Sequence, residues 1–253
     1  MTATLRDLLT YLDQCLQPGQ FRDYCPNGLQ VEGRAQVARL ATGVTASQRL
    51  LDAAVAWEAD AILVHHGYFW RGERAEVVGM KRRRLATLLC NDVSLLAYHL
   101  PLDAHPELGN NAMLGQLLGV RATGPLQPDE PGSVGSIGTL PEPVAAGELV
   151  ARLEQLTGRE ALHVGDAGDT VQRLAWCTGA AQGYIGAAVA AGAEIYVTGE
   201  ASEQTVHIAR EEGIHFVAAG HHATERFGVQ ALGEHLATRF ALEHRYFEVD
   251  NPV

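Results

Sequence analysis

A chain of 253 residues, 47% hydrophobic and with a formal net charge of −11, reads as a soluble globular protein with core enough for one large domain or two small ones. That acidic balance argues against a binder of nucleic acid polymers, and the one basic run, Lys81-Arg82-Arg83-Arg84, reads as a solvated helix face. No apolar run is long enough for a membrane span, and Met1-Thr2-Ala3-Thr4-Leu5-Arg6-Asp7 lacks signal-peptide character. The widely spaced Cys15, Cys25, Cys90 and Cys177 fit reduced thiols of a cytoplasmic protein better than zinc ligands.

Leucines at 5, 8, 9, 12 and 16 predict an amphipathic helix over 4–16, followed by a loop with the turn signal Asn27-Gly28. Residues 39–44 read as a strand and 45–59 as a helix, with Thr45 or Ser47 as N-cap. The apolar run Ala61-Ile62-Leu63-Val64 has the length of a strand buried on both faces, and it ends in His65-His66-Gly67. Polar groups at such a strand mouth stand where open α/β sheets place ligands.

A helix over 80–91 and a strand over 93–98 come next. His99, Asp103 and His105 are interleaved with Pro101 and Pro106, which predict a stiff loop rather than a helix. Residues 110–118 read as a short helix, and the Gly, Pro and acid-rich stretch 124–132 as a linker between halves. A strand over 136–140, a helix over 145–156 ended by Gly158, and a strand over 161–164 follow.

From Arg173 the chain repeats the segment that starts at Arg39, at a constant offset of 134, with ten of twenty-nine pairs identical over 39–67. The gapless strand–helix–strand register carries more weight than the matching alanines. It implies two α/β domains of similar topology made by internal duplication, 1–124 and 125–253, with terminal elements free to cross over. His65-His66 then faces Gly199-Glu200, and a strand over 216–219 leads into Gly220-His221. A strand over 244–249 ends the chain.

His221 and Glu225 are four apart and share one face if a helix starts there. With His65, His66 and Asp103 they make three imidazoles and two carboxylates, all at or past strand ends. Five N/O donors exceed the needs of one tetrahedral zinc and suit two divalent cations; the set does not choose among Zn, Mn, Fe, Co and Ni. Adjacent strand histidines point to opposite faces, so they serve neighbouring ions only where the strand has ended.

Val64-His65-His66-Gly67, Tyr98-His99-Leu100-Pro101-Leu102-Asp103, Gly109-Asn110-Asn111, Thr198-Gly199-Glu200 and Gly220-His221-His222-Ala223-Thr224-Glu225 occur in this order. Asn27-Gly28-Leu29-Gln30-Val31 and Asp250-Asn251-Pro252-Val253 flank them. Together they resemble the Nif-three-like family, also known as type-2 GTP cyclohydrolase I homologues, and its YbgI-like bacterial branch. The resemblance implies two interlinked α/β domains with a dinuclear metal centre between them, in a ring-like homohexamer built as a trimer of dimers. It implies His65, His66, Asp103, His221 and Glu225 as metal ligands, with Asp103 bridging. Glu200 falls where the family keeps an acid and becomes a general-base or positioning candidate, with His99 as a second group able to move protons. His222 stands where the family often has tyrosine and is no ligand.

The activity implied is hydrolysis by a metal-bridging hydroxide, on a nucleotide or related heterocycle in the manner of GTP cyclohydrolase. No P-loop is present, since residues 132–138 lack the lysine and the preceding strand it needs. Two other readings stay open: a non-enzymatic metal-binding or scaffold protein forming a ring, and a phosphoesterase acting on another nucleotide.

Overall fold

The computed structural model describes residues 2–130 and 132–253. After a short strand, β1 (Ala3–Thr4), the Thr4 hydroxyl accepts the Asp7 N–H and starts α1 (Leu5–Leu16), which buries Leu5, Leu8, Leu12 and Leu16. β2 (Gly28–Val31), β3 (Gln36–Val37) and β4 (Arg39–Thr45) follow. Ser47 accepts from Leu50 N to cap α2 (Gln48–Ala56). Next come β5 (Ala61–His66), α3 (Gly79–Cys90), β6 (Ser94–Ala97), α4 (Leu100–Ala104) and α5 (Asn110–Leu117). β7 (Arg121–Pro125), β8 (Ser136–Ala145) and α6 (Ala146–Thr157) lead to Gly158, whose left-handed φ of 72° ends that helix. The chain continues through β9 (Leu162–Val164), β10 (Thr170–Trp176), α7 (Ile185–Ala190), β11 (Ile195–Thr198) and α8 (Glu203–Glu212). β12 (His215–Ala218), α9 (His221–Phe240) and β13 (Glu243–Tyr246) complete it.

Two compact units result, one running to Leu102 with Gly228–Asp250 added, the other Asp103–Phe227 with Asn251–Val253. The first unit holds a five-stranded sheet in the order β13-β4-β5-β6-β2, parallel except for the edge strand β2. Ala61 to Val64 are wholly buried there, and Ile62 and Val64 pack with Leu50, Leu51, Leu85 and Leu88 of α2 and α3. The second unit holds six strands in the order β7-β8-β10-β11-β12-β9, with only β10, β11 and β12 mutually parallel. One face meets Leu114, Leu149 and Leu153 of α5 and α6; the other meets Ile185, Ala188 and Ala209 of α7 and α8. Burial of this kind matches the unbroken apolar run Ala61–Val64 in β5, and it leaves all four residues of β11 buried as well.

The two sheets share a register. Leu40 pairs with Ala61 in one and Leu174 with Ile195 in the other, the same positions under the offset of 134. Asp60 accepts the N–H groups of Ala38 and Arg39, while Glu194 accepts those of Gln172 and Arg173. In each unit an acid at the foot of the second strand satisfies two backbone donors of the first, at its start in β4 and at the bulge between Val171 and Arg173 in β10.

Several expectations change. The segment after His99 is a helical turn, because Pro101 stands in the first turn of α4, where its missing N–H is not needed. The stretch 124–132 is no linker between units: β7 pairs with β8, so 103–124 belongs with the second unit, and the expected boundary at 124/125 falls inside it. Pro131 in that stretch lies outside the described residues. β8 runs five residues past its expected end, and β2 replaces part of the predicted loop as the antiparallel partner of β6. Of the candidate caps, Ser47 is the one used.

Asp60→Ala strips an anionic acceptor from two backbone donors and should cost about 1.5–3 kcal/mol in urea unfolding, and Glu194→Ala should destabilise for the same reason. Unchanged midpoints in both variants would show that these anchors are dispensable.

Candidate metal centre

In the first unit β5 delivers His65 and His66, and His99 follows β6. His65 is fully buried, its Nδ1 3.0 Å from the Tyr98 carbonyl. A carbonyl only accepts, so Nδ1 carries the hydrogen and Nε2 carries the lone pair, the tautomer a metal ligand needs. His66 Nδ1 lies 3.2 Å from Thr45 Oγ1, and His99 Nδ1 lies 2.6 Å from Asp23 Oδ1. β5 extends through His66, yet the rings of His65 and His66 converge to 4.6 Å between centroids, so the strand need not end for both to serve one site. Their ligand nitrogens and that of His99 lie within 4.8 Å of one another.

The turn after His66 is held by Gln30, whose Oε1 accepts Tyr68 N at 2.7 Å and whose Nε2 donates to the Tyr68 and Pro26 carbonyls. A Cβ at Gly67 would collide with the Gln30 amide and come within 2.6 Å of Ala97 Cβ, which is why glycine follows the histidine pair. Trp70 donates from Nε1 to the Gly67 carbonyl, and its ring packs edge-on to His99 at 5.1 Å.

Asp23, which sequence reasoning passed over, is the anchor of His99. Burial would raise its carboxyl, but the His99 and Asn27 hydrogen bonds, the His99 charge and the Tyr24 N–H outweigh it and hold the pKa at about 2. Asp23, Cys25 and His99 also group closely enough to suggest a separate cation site. Their chemistry argues for anchoring instead: Asp23 already receives the ring of His99, the Asn27 amide and the N–H groups of Tyr24 and Leu100. Burial, helped by the Asp23 charge, pushes the Cys25 thiol up to about 12, far from thiolate.

The second unit supplies acids. Asp103, in α4, is buried, and its Oδ1 accepts from Asn110 Nδ2 at 2.9 Å and Thr178 Oγ1 at 3.4 Å. Asn111 donates to the Asp103 carbonyl and accepts from Thr178 N, tying α4, α5 and the end of β10 together. At the start of α9, His221 Nδ1 lies 2.7 Å from Glu200 Oε1, and its Nε2 lies 3.0 Å from the buried Glu225. Burial opposes charge on His221, but the hydrogen bonds and charges of Glu225 and Glu200 prevail and raise its pKa to about 9.

An oxygen of Asp103 and one of Glu225 lie within 4.8 Å of each other, both nearly out of solvent. Two carboxylates this close and this buried favour a proton or a cation beside them. The donors fit divalent metal: His65 commits its Nδ1 hydrogen to a carbonyl, the acids offer hard oxygens, and burial keeps Cys25 and Cys177 as thiols. Gly179, at φ +72°, leaves the space Glu225 occupies; a Cβ there would collide with Glu225 Oε1 and stand 3.3 Å from His221 Nε2. Within the first unit the structure groups His65 and His66 with His99, and within the second it groups Asp103 with Glu225 and His221 with Glu225 and Glu200, while His222 turns its backbone N–H to the Val253 carbonyl.

The sequence profile of Duf34/NIF3 (NGG1p interacting factor 3) matches residues 3–252. The chain belongs to that family. A Pseudomonas aeruginosa protein called GTP cyclohydrolase 1 type 2 homolog is 59% identical over 253 residues, covering all of both chains. An Escherichia coli K12 protein of the same name is 51% identical over 248 residues, covering 98% of each. Among solved structures, one described as protein YbgI of unknown function superposes with a TM-score of 0.94 at 50% identity, covering 99% of this chain and 100% of its own. A Thermus thermophilus protein superposes with a TM-score of 0.89 at 35% identity, with the same coverage. No helix among the described residues is long and apolar enough to cross a membrane.

Two outcomes are expected. Gly179→Ala should displace Glu225 and lower metal affinity by about tenfold or more, read by metal titration, while Gly183→Ala, whose Cβ meets open space, changes nothing. Asp23 is held below its unfolded value of 3.8, so its stabilisation is complete above about pH 4 and is lost as pH falls toward about 2. Asp23→Asn should remove that acid-sensitive component, and acid unfolding curves that superimpose for the two proteins would refute the anchor.

Proposed function

We propose that the protein is a metal-dependent hydrolase in which His65, His66, Asp103, His221 and Glu225 together hold two divalent cations, with Asp103 as the shared carboxylate. Two observations, one in each unit, support this reading: the Nδ1 anchoring of His65 and His66 in the first, and in the second the pair of buried, close carboxylates with His221 anchored by Glu200. Such a pair of cations supplies Lewis acidity and a water acidified to near neutrality. His65, His66 and His221 would offer Nε2 to these cations. Glu200 fixes the tautomer of His221 through Nδ1 and, being one-third exposed, is also the general-base candidate. His99, aligned by Asp23 as a base is aligned by an acid, moves protons at Nε2.

The name borne by the relatives supports a nucleotide or related heterocycle as substrate, with GTP the first compound to try. The matching registers and the paired Asp60 and Glu194 anchors support an origin by internal duplication. The family resemblance supports a cytoplasmic homohexamer, a trimer of dimers.

Metal analysis of purified protein beside a nucleotide hydrolysis screen tests the reading. Two equivalents of divalent metal and a turnover that Asp103→Ala lowers by about a thousandfold or more, in a chain that stays folded, are expected. Metal retained without turnover, with assembly lost in Asp103→Ala, would favour the scaffold alternative; Asp103→Ala at full activity would overturn the proposed site.

A further inference from the structure

We infer that the first unit carries a subsite for a planar heteroaromatic ring bearing a phosphate or similar anion, with the ring stacked on Tyr24 and the anion held by Arg71. This deepens the proposed function and rests on it in one respect, that His66 and His99 belong to the reacting centre.

Tyr24 is the most exposed aromatic residue among those described, with 57% of its surface open to solvent. It is nevertheless fixed in place. Its carbonyl accepts Arg71 N at 2.7 Å, its own N–H donates to Asp23 Oδ1 at 2.6 Å, and Arg71 Nη2 donates to the Asp23 carbonyl at 2.9 Å. The loop before β2 and the turn after β5 are thus fastened together at Tyr24. The Arg71 guanidinium carbon stands 5.9 Å from the ring centroid and helps to hold the ring's direction. A tyrosine already held in place offers a large flat contact at little cost in freedom.

Its position ties this ring to the histidines. Tyr24 stands edge-on to His99 with centroids 6.3 Å apart, and Trp70 stands edge-on to the same imidazole at 5.1 Å and lies 6.0 Å from His66. A phenol and an indole therefore flank His99, and a flat ligand on Tyr24 becomes a neighbour of the histidine cluster. Stacking accepts any base, because every base has a π face.

Arg71 supplies the charge. It is exposed, and among the described residues its one side-chain hydrogen bond goes to a backbone carbonyl, with no carboxylate paired to it. Lys81, by contrast, is paired with Glu73 at 3.4 Å. The Asp23 carboxylate is already taken by the His99 ring, the Asn27 amide and the N–H groups of Tyr24 and Leu100. Arg71 thus keeps free donors in a planar fork that suits phosphate oxygens. A ring face beside such a fork describes a nucleotide better than a sugar phosphate, which lacks the flat ring. The net charge of −11 favours a free nucleotide over a nucleic acid strand.

Equilibrium binding of guanosine, adenosine, their 5′-monophosphates and inorganic phosphate is measured on the protein as purified. At least one nucleoside should bind, and its monophosphate should bind more tightly. Tyr24→Ala should weaken both by about tenfold and leave inorganic phosphate within about twofold, whereas Tyr24→Phe should keep all three within about twofold. Arg71→Gln should narrow the advantage of monophosphate over nucleoside by about threefold or more. Four results would each overturn the stacking subsite: no nucleoside binding, Tyr24→Ala behaving as the parent, Tyr24→Phe as weak as Tyr24→Ala, or inorganic phosphate lost together with the nucleosides. Arg71→Gln without effect would remove the anion from the assignment, and a single-stranded tetranucleotide bound tighter than the monophosphate by about tenfold would overturn the free nucleotide. Nucleotide turnover that persists while Tyr24→Ala binds like the parent refutes the subsite alone. Tyr24-dependent binding with no turnover of any nucleotide refutes the hydrolase reading alone.

Discussion

An imidazole becomes a metal ligand only when something else claims its second nitrogen, and this protein meets that condition within each unit separately. The Tyr98 carbonyl holds His65, Thr45 faces His66, Asp23 holds His99, and Glu200 holds His221. Each partner lies on a segment next to the histidine's own, so tautomer and ring direction are set by the folded sheet. For His65 this is a direct consequence of parallel pairing: β5 and β6 run side by side, and the carbonyl just past β6 reaches the ring just before the end of β5. Orientation of the donors then costs no conformational entropy at the moment of binding.

Electrostatics makes a related demand within the second unit. Asp103 and Glu225 lie close together with little solvent to screen them, an arrangement that favours positive charge nearby. His221 answers part of that demand, and its pKa of about 9 records how strongly the two acids around it favour charge. Gly67, Gly179 and Gly199 preserve these contacts by absence: at Gly199 a Cβ would stand 2.6 Å from the Gly179 carbonyl and 2.7 Å from His221 Cα. Within each unit the placing of these side chains therefore depends as much on missing Cβ atoms as on the donors themselves.

Much of this was legible in the chain. Four buried aliphatic residues before His65-His66 announced a central parallel strand, and the offset of 134 foretold a register that recurs pair for pair. Glu200 became a candidate because it falls where the family keeps an acid, and it proves to touch His221. Other features left no local trace. Asp23 lies in an irregular loop 76 residues before His99, and no periodicity links them. Trp70 reads as an ordinary loop aromatic until its contact with His99 is seen. The prolines near Asp103 misled because a helix tolerates proline in its first turn, and only the turn's position within α4 reveals which case applies. The Gly and Pro-rich stretch after β7 looked like a linker by composition, whereas strand pairing with β8 decides unit membership.

The central claim is that five side chains, oriented through their second atoms, hold two divalent cations. Anomalous diffraction from crystals of the metal-loaded protein, collected on both sides of the metal's absorption edge, tests it most directly. The account predicts two peaks about 3.5–4 Å apart, with imidazole Nε2 atoms of His65, His66 and His221 at about 2.0–2.1 Å and an Asp103 oxygen reaching both. A single peak, ligation through Nδ1, or peaks away from these residues would contradict it.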